Sequence, residues 1–198
     1  MISRNISFIL IIIIPIGILF LLRSALKHKK LVVMCFTILV FAIMLLNSAF
    51  PIDNQIKSFK NPEDAVTYFD GKETKILSKQ MGQDSCMFNT FKQRKYSFAF
   101  VKKDTNSWRY CTASSFKIIA KEVVDGINIV LYYVKGTDDY YLSVSHFGDK
   151  EIILVDSRLS KFEVYMDENI SMYVGHINGM DKDYKLTING KDINLGEG

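Results

Sequence analysis

Ile127-Asn-Ile-Val-Leu-Tyr-Tyr-Val134 is apolar on both of its faces and lies between two turn signals, Asp125-Gly126 and Gly136-Thr137. Successive side chains of a strand point to opposite faces, so this run reads as the central strand of a sheet covered on both sides. The pattern around it keeps to period two or to short apolar runs. Strands are expected at 73–79, 84–91, 95–102, 107–112, 116–124, 127–134, 140–147, 151–156, 161–166, 170–177, 184–189 and 191–195. In Tyr96-Ser-Phe-Ala-Phe100 the aromatics take one face and small residues the other.

The last hairpin carries its own check. Asn189-Gly190 is a favoured type I′ pair. A two-residue loop there pairs Ile188 with Lys191, Leu186 with Ile193 and Tyr184 with Leu195. Five of these six residues are apolar and all share one face, so turn type and hydrophobic pattern agree on register.

Upstream of the strands, Asn61-Pro-Glu-Asp-Ala-Val-Thr-Tyr-Phe-Asp70 reads as a short helix. Asn61 suits the N-cap, Pro62 the first helical position, and Glu63 and Asp64 the positive end of the dipole. A helix this short persists only by packing on a sheet. The simplest architecture is this helix on a small antiparallel sheet (61–114), followed by an immunoglobulin-like β-sandwich of seven or eight short strands (115–198). One larger α+β domain is the alternative. Residues 51–60 read as a polar tether.

Two uncharged runs precede the tether, 17 residues at Ile6–Leu22 and 20 at Leu31–Phe50. As helices they extend about 25 and 30 Å, against a hydrocarbon core of about 30 Å. The eight-residue loop between them carries Arg23, Lys27, Lys29 and Lys30. The positive-inside rule assigns such a loop to the cytoplasm. The expected topology is a two-pass hairpin in the cell membrane, with the N-terminus and residues 51–198 outside. A signal sequence cleaved after Asn47-Ser48-Ala49 is the competing reading. The topogenic role accounts for the loop charge without a specific lipid ligand.

The helix motif at 61–69, together with the aromatic strand Ser107-Trp-Arg-Tyr110, resembles two-helix membrane-tethered extracytoplasmic proteins of low-GC Gram-positive bacteria. The likeness covers 61–112. It implies a surface location and brings no activity with it.

The formal net charge of +4 comes from the first 50 residues, which hold five basic residues and no acidic one. The remaining 20 basic and 21 acidic residues nearly cancel, which does not support a nucleic-acid partner.

No catalytic set is expected. His146 in Ser143-Val-Ser-His-Phe-Gly-Asp149 is too close along a strand to its Ser and Asp neighbours to form a triad. No spacing argues that His146 and His176 form a metal pair. Asp138-Asp139 and Asp181-Lys-Asp183 read as surface turns, not calcium loops. No cofactor motif occurs. Cys86 and Cys111 are candidates for a disulfide. In a plain meander they would lie on next-but-one strands, about 9–10 Å apart, whereas a disulfide needs Cα atoms within about 7 Å. The bond therefore requires another strand order. Adjacent tyrosines on a strand face opposite ways, so Tyr133, Tyr141, Tyr165 and Tyr173 are candidate binding aromatics.

The expected function is a non-enzymatic, membrane-anchored extracytoplasmic module. It would bind a membrane-protein or cell-wall ligand, and its hairpin offers a route to regulating a membrane partner. An extracytoplasmic hydrolase built on His146 or His176 is one alternative. A membrane-hairpin immunity or assembly factor is the other.

Overall fold

A computed structural model describes residues 33–34, 36–38, 40–41, 57–148, 151–158, 160–167 and 169–196. The chain divides into two compact units, Met1–Lys57 and Ser58–Gly198. The first expected span, most of the second and the loop basic residues Arg23, Lys27, Lys29 and Lys30 lie outside the described residues. Among the described residues no helix is long and apolar enough to cross a membrane. Those that fall within 31–50 are helical.

The second unit is β-rich and antiparallel. Its one described helix, α1 (Pro62–Asp70), starts with Pro62 in the first turn and has an acidic first turn. Asn61 makes no side-chain cap; its amide donates instead to Asp64. Twelve strands follow: β1 (Lys75–Met81), β2 (Ser85–Lys92), β3 (Lys95–Asp104), β4 (Ser107–Tyr110), β5 (Phe116–Val124), β6 (Ile127–Val134), β7 (Asp139–Phe147), β8 (Leu154–Asp156), β9 (Phe162–Met166), β10 (Ile170–Asn178), β11 (Lys185–Ile188) and β12 (Lys191–Asn194). The largest shift from an expected strand end is at β8, where 151–153 stays outside the strand. There Ile153 exchanges bonds with Asn189: its N–H donates to the Asn189 side chain and its carbonyl accepts the Asn189 N–H. The β11–β12 hairpin has the expected register, with Asn189 and Gly190 both at positive φ.

The strands form three sheets, ordered β1-β2-β3-β4, β5-β6-β7-β10-β9 and β12-β11-β8. Three apolar clusters join them and α1 as successive layers. Ala65 and Val66 of α1 pack on Cys86, Phe88, Ala99 and Val101 of the first sheet. The other face of that sheet, with Met87 and Phe100, packs on Tyr132, Val134, Tyr141 and Val174 of the five-stranded sheet. The far face of the five-stranded sheet, with Ile129, Leu131, Leu142 and Tyr173, packs on Tyr184, Leu186 and Ile188 of the third. Ile127–Val134 is thus covered on both faces: its odd residues meet one layer and its even residues the other. The segments 61–114 and 115–198 meet through the middle cluster.

Candidate functional site

The polar centre of the domain is Asp139, the first residue of β7, which has no exposed surface. Its carboxylate collects four donors. Oδ1 accepts from the Gln83 amide at 2.8 Å and from His176 Nε2 at 2.6 Å. Oδ2 accepts from the Asp84 amide at 2.8 Å and from Ser85 Oγ at 2.7 Å. Ser85 Oγ lies 2.9 Å from the Tyr141 hydroxyl, and the Tyr141 and His176 rings are 5.4 Å apart. The turn between β1 and β2 is wrapped around a carboxylate of the next sheet.

Local sequence explains the fit. Gly82 lets the turn close in: a Cβ there would stand 2.5 Å from the Tyr141 hydroxyl and 2.7 Å from the Asp139 carboxyl carbon. Thr137 accepts the Asp139 N–H and so holds the start of β7. Burial acts to raise the Asp139 pKa. The bonds from His176, Ser85 and the Gln83 and Asp84 amides together outweigh it and bring the pKa down to about 2. The carboxylate is then ionised and accepts only, so Nε2 of His176 carries the hydrogen.

A histidine beside a carboxylate is half of a hydrolytic arrangement, but the other half is missing here. Ser85 is fully buried and its hydroxyl donates to Asp139, away from His176. Tyr141 is also fully buried, and burial holds its hydroxyl above the ordinary tyrosine range. The group of four can brace two sheets, but it offers no nucleophile to a substrate.

Three further aspartates receive a tyrosine hydroxyl. Tyr96 of β3 donates to Asp167 at 2.6 Å and ties the first sheet to the β9–β10 turn. Tyr184 donates to Asp156 at 2.8 Å, and Tyr110 donates to Asp70 at the end of α1 at 2.7 Å. Two of these bonds, Tyr96–Asp167 and Tyr110–Asp70, fasten one layer to another.

This corrects the expectation for two of the four candidate aromatics. Tyr141 is 0% and Tyr173 5% exposed. Both faces of their sheet are covered, so neither face of those strands is open. Tyr133 and Tyr165 are partly exposed. Tyr133 stacks on Tyr140 at 4.8 Å, and Tyr165 donates to Asp167 at 3.2 Å. The Asp138-Asp139 pair is likewise only half a surface turn, since Asp138 is exposed and Asp139 is the buried centre.

The histidines are not brought together. His146 lies opposite Ser171 of β10, five residues from His176, or about 17 Å along the strand. His146 is also on the other face, with its ring against Tyr173. Among the described residues no group of three metal-ligating side chains occurs.

Cys86 and Cys111 are both free and buried. The first sheet is the plain meander, so β3 separates them, and they belong to different clusters on its two faces. Burial raises both thiols, that of Cys111 to about 12. We expect iodoacetamide to leave both unmodified in the native protein and to alkylate both in denaturant without reductant. Modification that required a reductant would reveal a bond.

No known protein family, curated protein or solved structure matches the chain.

Proposed function

We propose that the protein is a membrane-anchored extracytoplasmic binding module. Residues 1–50 form a two-pass hairpin, loop 23–30 is cytoplasmic, and the β domain lies outside and has no catalytic role. The observation that carries this reading is the pair of uncharged runs flanking a basic loop, joined to a domain of near-zero net charge. The helical residues of the second run are consistent with it: Val33, Met34, Ile38 and Phe41 hold large apolar side chains more than half exposed, as a lipid-facing helix does.

The finer fold reading belongs to the same proposal. Without β5, the order β6-β7-β10-β9 facing β8-β11-β12 is the A-B-E-D and C-F-G arrangement of a constant-type immunoglobulin sandwich. Sandwiches of this kind serve many functions, and recognition at cell surfaces is a common one. The closed Asp139 group supports a scaffold over an enzyme.

The test is topological. Single cysteines are placed at Ser24 and Asp138, and intact cells are treated with a membrane-impermeant maleimide. The parent chain, with its own Cys35, Cys86 and Cys111, supplies the blank. Labelling at Asp138 and not at Ser24 is expected. The reverse pattern would overturn the orientation and transfer the search for partners to the cytoplasm.

A further inference from the structure

Most free strand edges of the domain are blunted. β5 has a bulge between Ile118 and Ala120 and carries Lys117, Lys121 and Glu122. β1 has a bulge between Ile76 and Ser78 and carries Lys75 and Lys79. β8 and β12 are only three and four residues long. Bulges, charges and short length are the usual protection against pairing with another chain. The first half of β3 has none of these. β4 pairs with residues 101–104 only, so Tyr96-Ser-Phe-Ala99 has no strand beside it on that edge among the described residues. This stretch has no charge and no proline, and its register with β2 is unbroken.

The β2–β3 turn decides where the backbone groups of β3 point. Gln93 and Arg94 both have positive φ, and this two-residue loop closes on a hydrogen-bonded pair, Lys92 and Lys95. Bonded and non-bonded pairs then alternate, so odd residues of β3 bond to β2 and even residues turn to the other edge. The Phe100 carbonyl obeys this and accepts the Cys111 N–H at 2.8 Å. The N–H and C=O groups of Tyr96 and Phe98 point the same way and have no hydrogen-bond partner among the described residues.

Below this edge one corner of the five-stranded sheet is bare. β1 lies over β9 and β10, and Phe100 lies over Phe116 of β5 and Tyr132 of β6, so the open edge looks towards β5. The β2–β3 tip swings the other way, to the β9–β10 turn, where Tyr96 donates to Asp167. The register puts Ile118, Lys121, Val123 and Phe147 on the face towards the first sheet. Ile118, Val123 and Phe147 are 48%, 63% and 81% exposed. Lys121 stands between the first two, exposed and without an ion pair among the described residues. Its acidic neighbours are turned away: Glu122 is on the opposite face and Asp125 pairs with Lys191.

We propose that an extended peptide segment of a partner protein docks here as an added strand beside β3, in line with β4. It is apolar at alternate positions and carries a carboxylate for Lys121. Its backbone bonds to Tyr96 and Phe98, and one row of its side chains covers Ile118, Val123 and Phe147. The inference deepens the binding-module reading and rests on it. Two features select this occupant. The alternating N–H and C=O groups of Tyr96 and Phe98 are complementary to another β-backbone. The space also suits a single strand and not a second copy of the domain. A copy pairing through the same edge brings its own five-stranded sheet to the same side, where the two protruding β5 corners collide.

The experiment pans a random nine-residue peptide library on phage against the full chain in non-ionic detergent. Enriched sequences are expected to alternate apolar and polar residues and to include Asp or Glu. By fluorescence anisotropy, a synthetic copy of the most enriched peptide should bind Val123→Asp about ten-fold or more weakly than the parent. Replacing its two central residues by proline should weaken it by a similar factor, because proline has no N–H to donate. Val155→Asp, a like change at an exposed valine of β8, should bind as the parent does. Hydrogen exchange gives a second readout. In the free chain the Tyr96 and Phe98 amides should exchange faster than those of Ser97 and Ala99, and the peptide should protect them. No enrichment, parent-like binding by Val123→Asp, or tolerance of the prolines would overturn the proposal. So would slow exchange of the Tyr96 and Phe98 amides in the free chain, since another segment or a second copy then fills the edge. Maleimide labelling reads orientation independently, so failure here leaves the topological reading to its own test.

Discussion

Asp139→Ala is expected to destabilise the β domain by about 4 kcal/mol, because it strands buried donors on both sides of a sheet interface. Four donors lose their acceptor together: His176 Nε2, Ser85 Oγ and the Gln83 and Asp84 amides. Water has poor access to a residue with no exposed surface, so the loss is not recovered by solvation. In a domain of this size that corresponds to a fall in Tm of about 10–20 °C. His176→Ala should be milder, about 1–2 kcal/mol, since three donors remain on the carboxylate. A calorimetric Tm for Asp139→Ala within 2–3 °C of the parent would show that the group braces nothing.

The same carboxylate sets an acid dependence with a definite sign. Its folded pKa of about 2 lies below the usual aspartate value. A depressed folded pKa contributes stability that is fully present above the unfolded value, near pH 4, and is lost as pH falls towards 2. The contribution is about 2 kcal/mol. The gap in urea midpoint between the parent and Asp139→Ala should therefore narrow by about half as pH falls from about 4 to 2 and stay constant above that range. A constant gap across the acid range would show that the carboxylate is not ionised by its partners.

Phe100→Ala is expected to cost about 4 kcal/mol, the sum of lost transfer energy and the cavity left behind. Phe100 is 1% exposed. It projects from β3 onto Phe116, Tyr132 and Tyr141, with ring separations of 4.8, 5.2 and 5.9 Å. These partners all belong to the next sheet, so the cavity opens between sheets and not within one. The variant should still melt in one transition, and Cys86 and Cys111 should become open to alkylation together. Cys86 faces α1 and Cys111 faces the interlayer. Alkylation of Cys86 well before Cys111 would mean that the first sheet unfolds by itself, and would count against a shared core.

The strands were legible because their cause is local. Alternation, Gly-containing turns and an Asn-Gly pair decide where each strand starts and which face it buries, and β11–β12 follows that reading to the residue pair. The candidate site was not legible. Nothing in Thr137-Asp-Asp139 distinguishes a solvated turn aspartate from a buried one. Asp139 is set apart by Gln83, Asp84, Ser85 and His176, at separations of 37 to 56 residues. Two of the four candidate tyrosines are buried for a related reason. An alternating strand predicts one open face only when a single layer covers it, and Tyr141 and Tyr173 lie in a sheet covered twice.

The sequence alone determined the secondary structure of the β domain, the doubly buried character of Ile127–Val134 and the register of its last hairpin, since these depend on side chains a few residues apart. It did not determine how the layers are stacked. The placing of Cys86 and Cys111 on opposite faces of one sheet, and the closing of the β1–β2 turn over Asp139, depend on contacts between distant segments. Such contacts form only when whole sheets meet, and only the tertiary structure decided them.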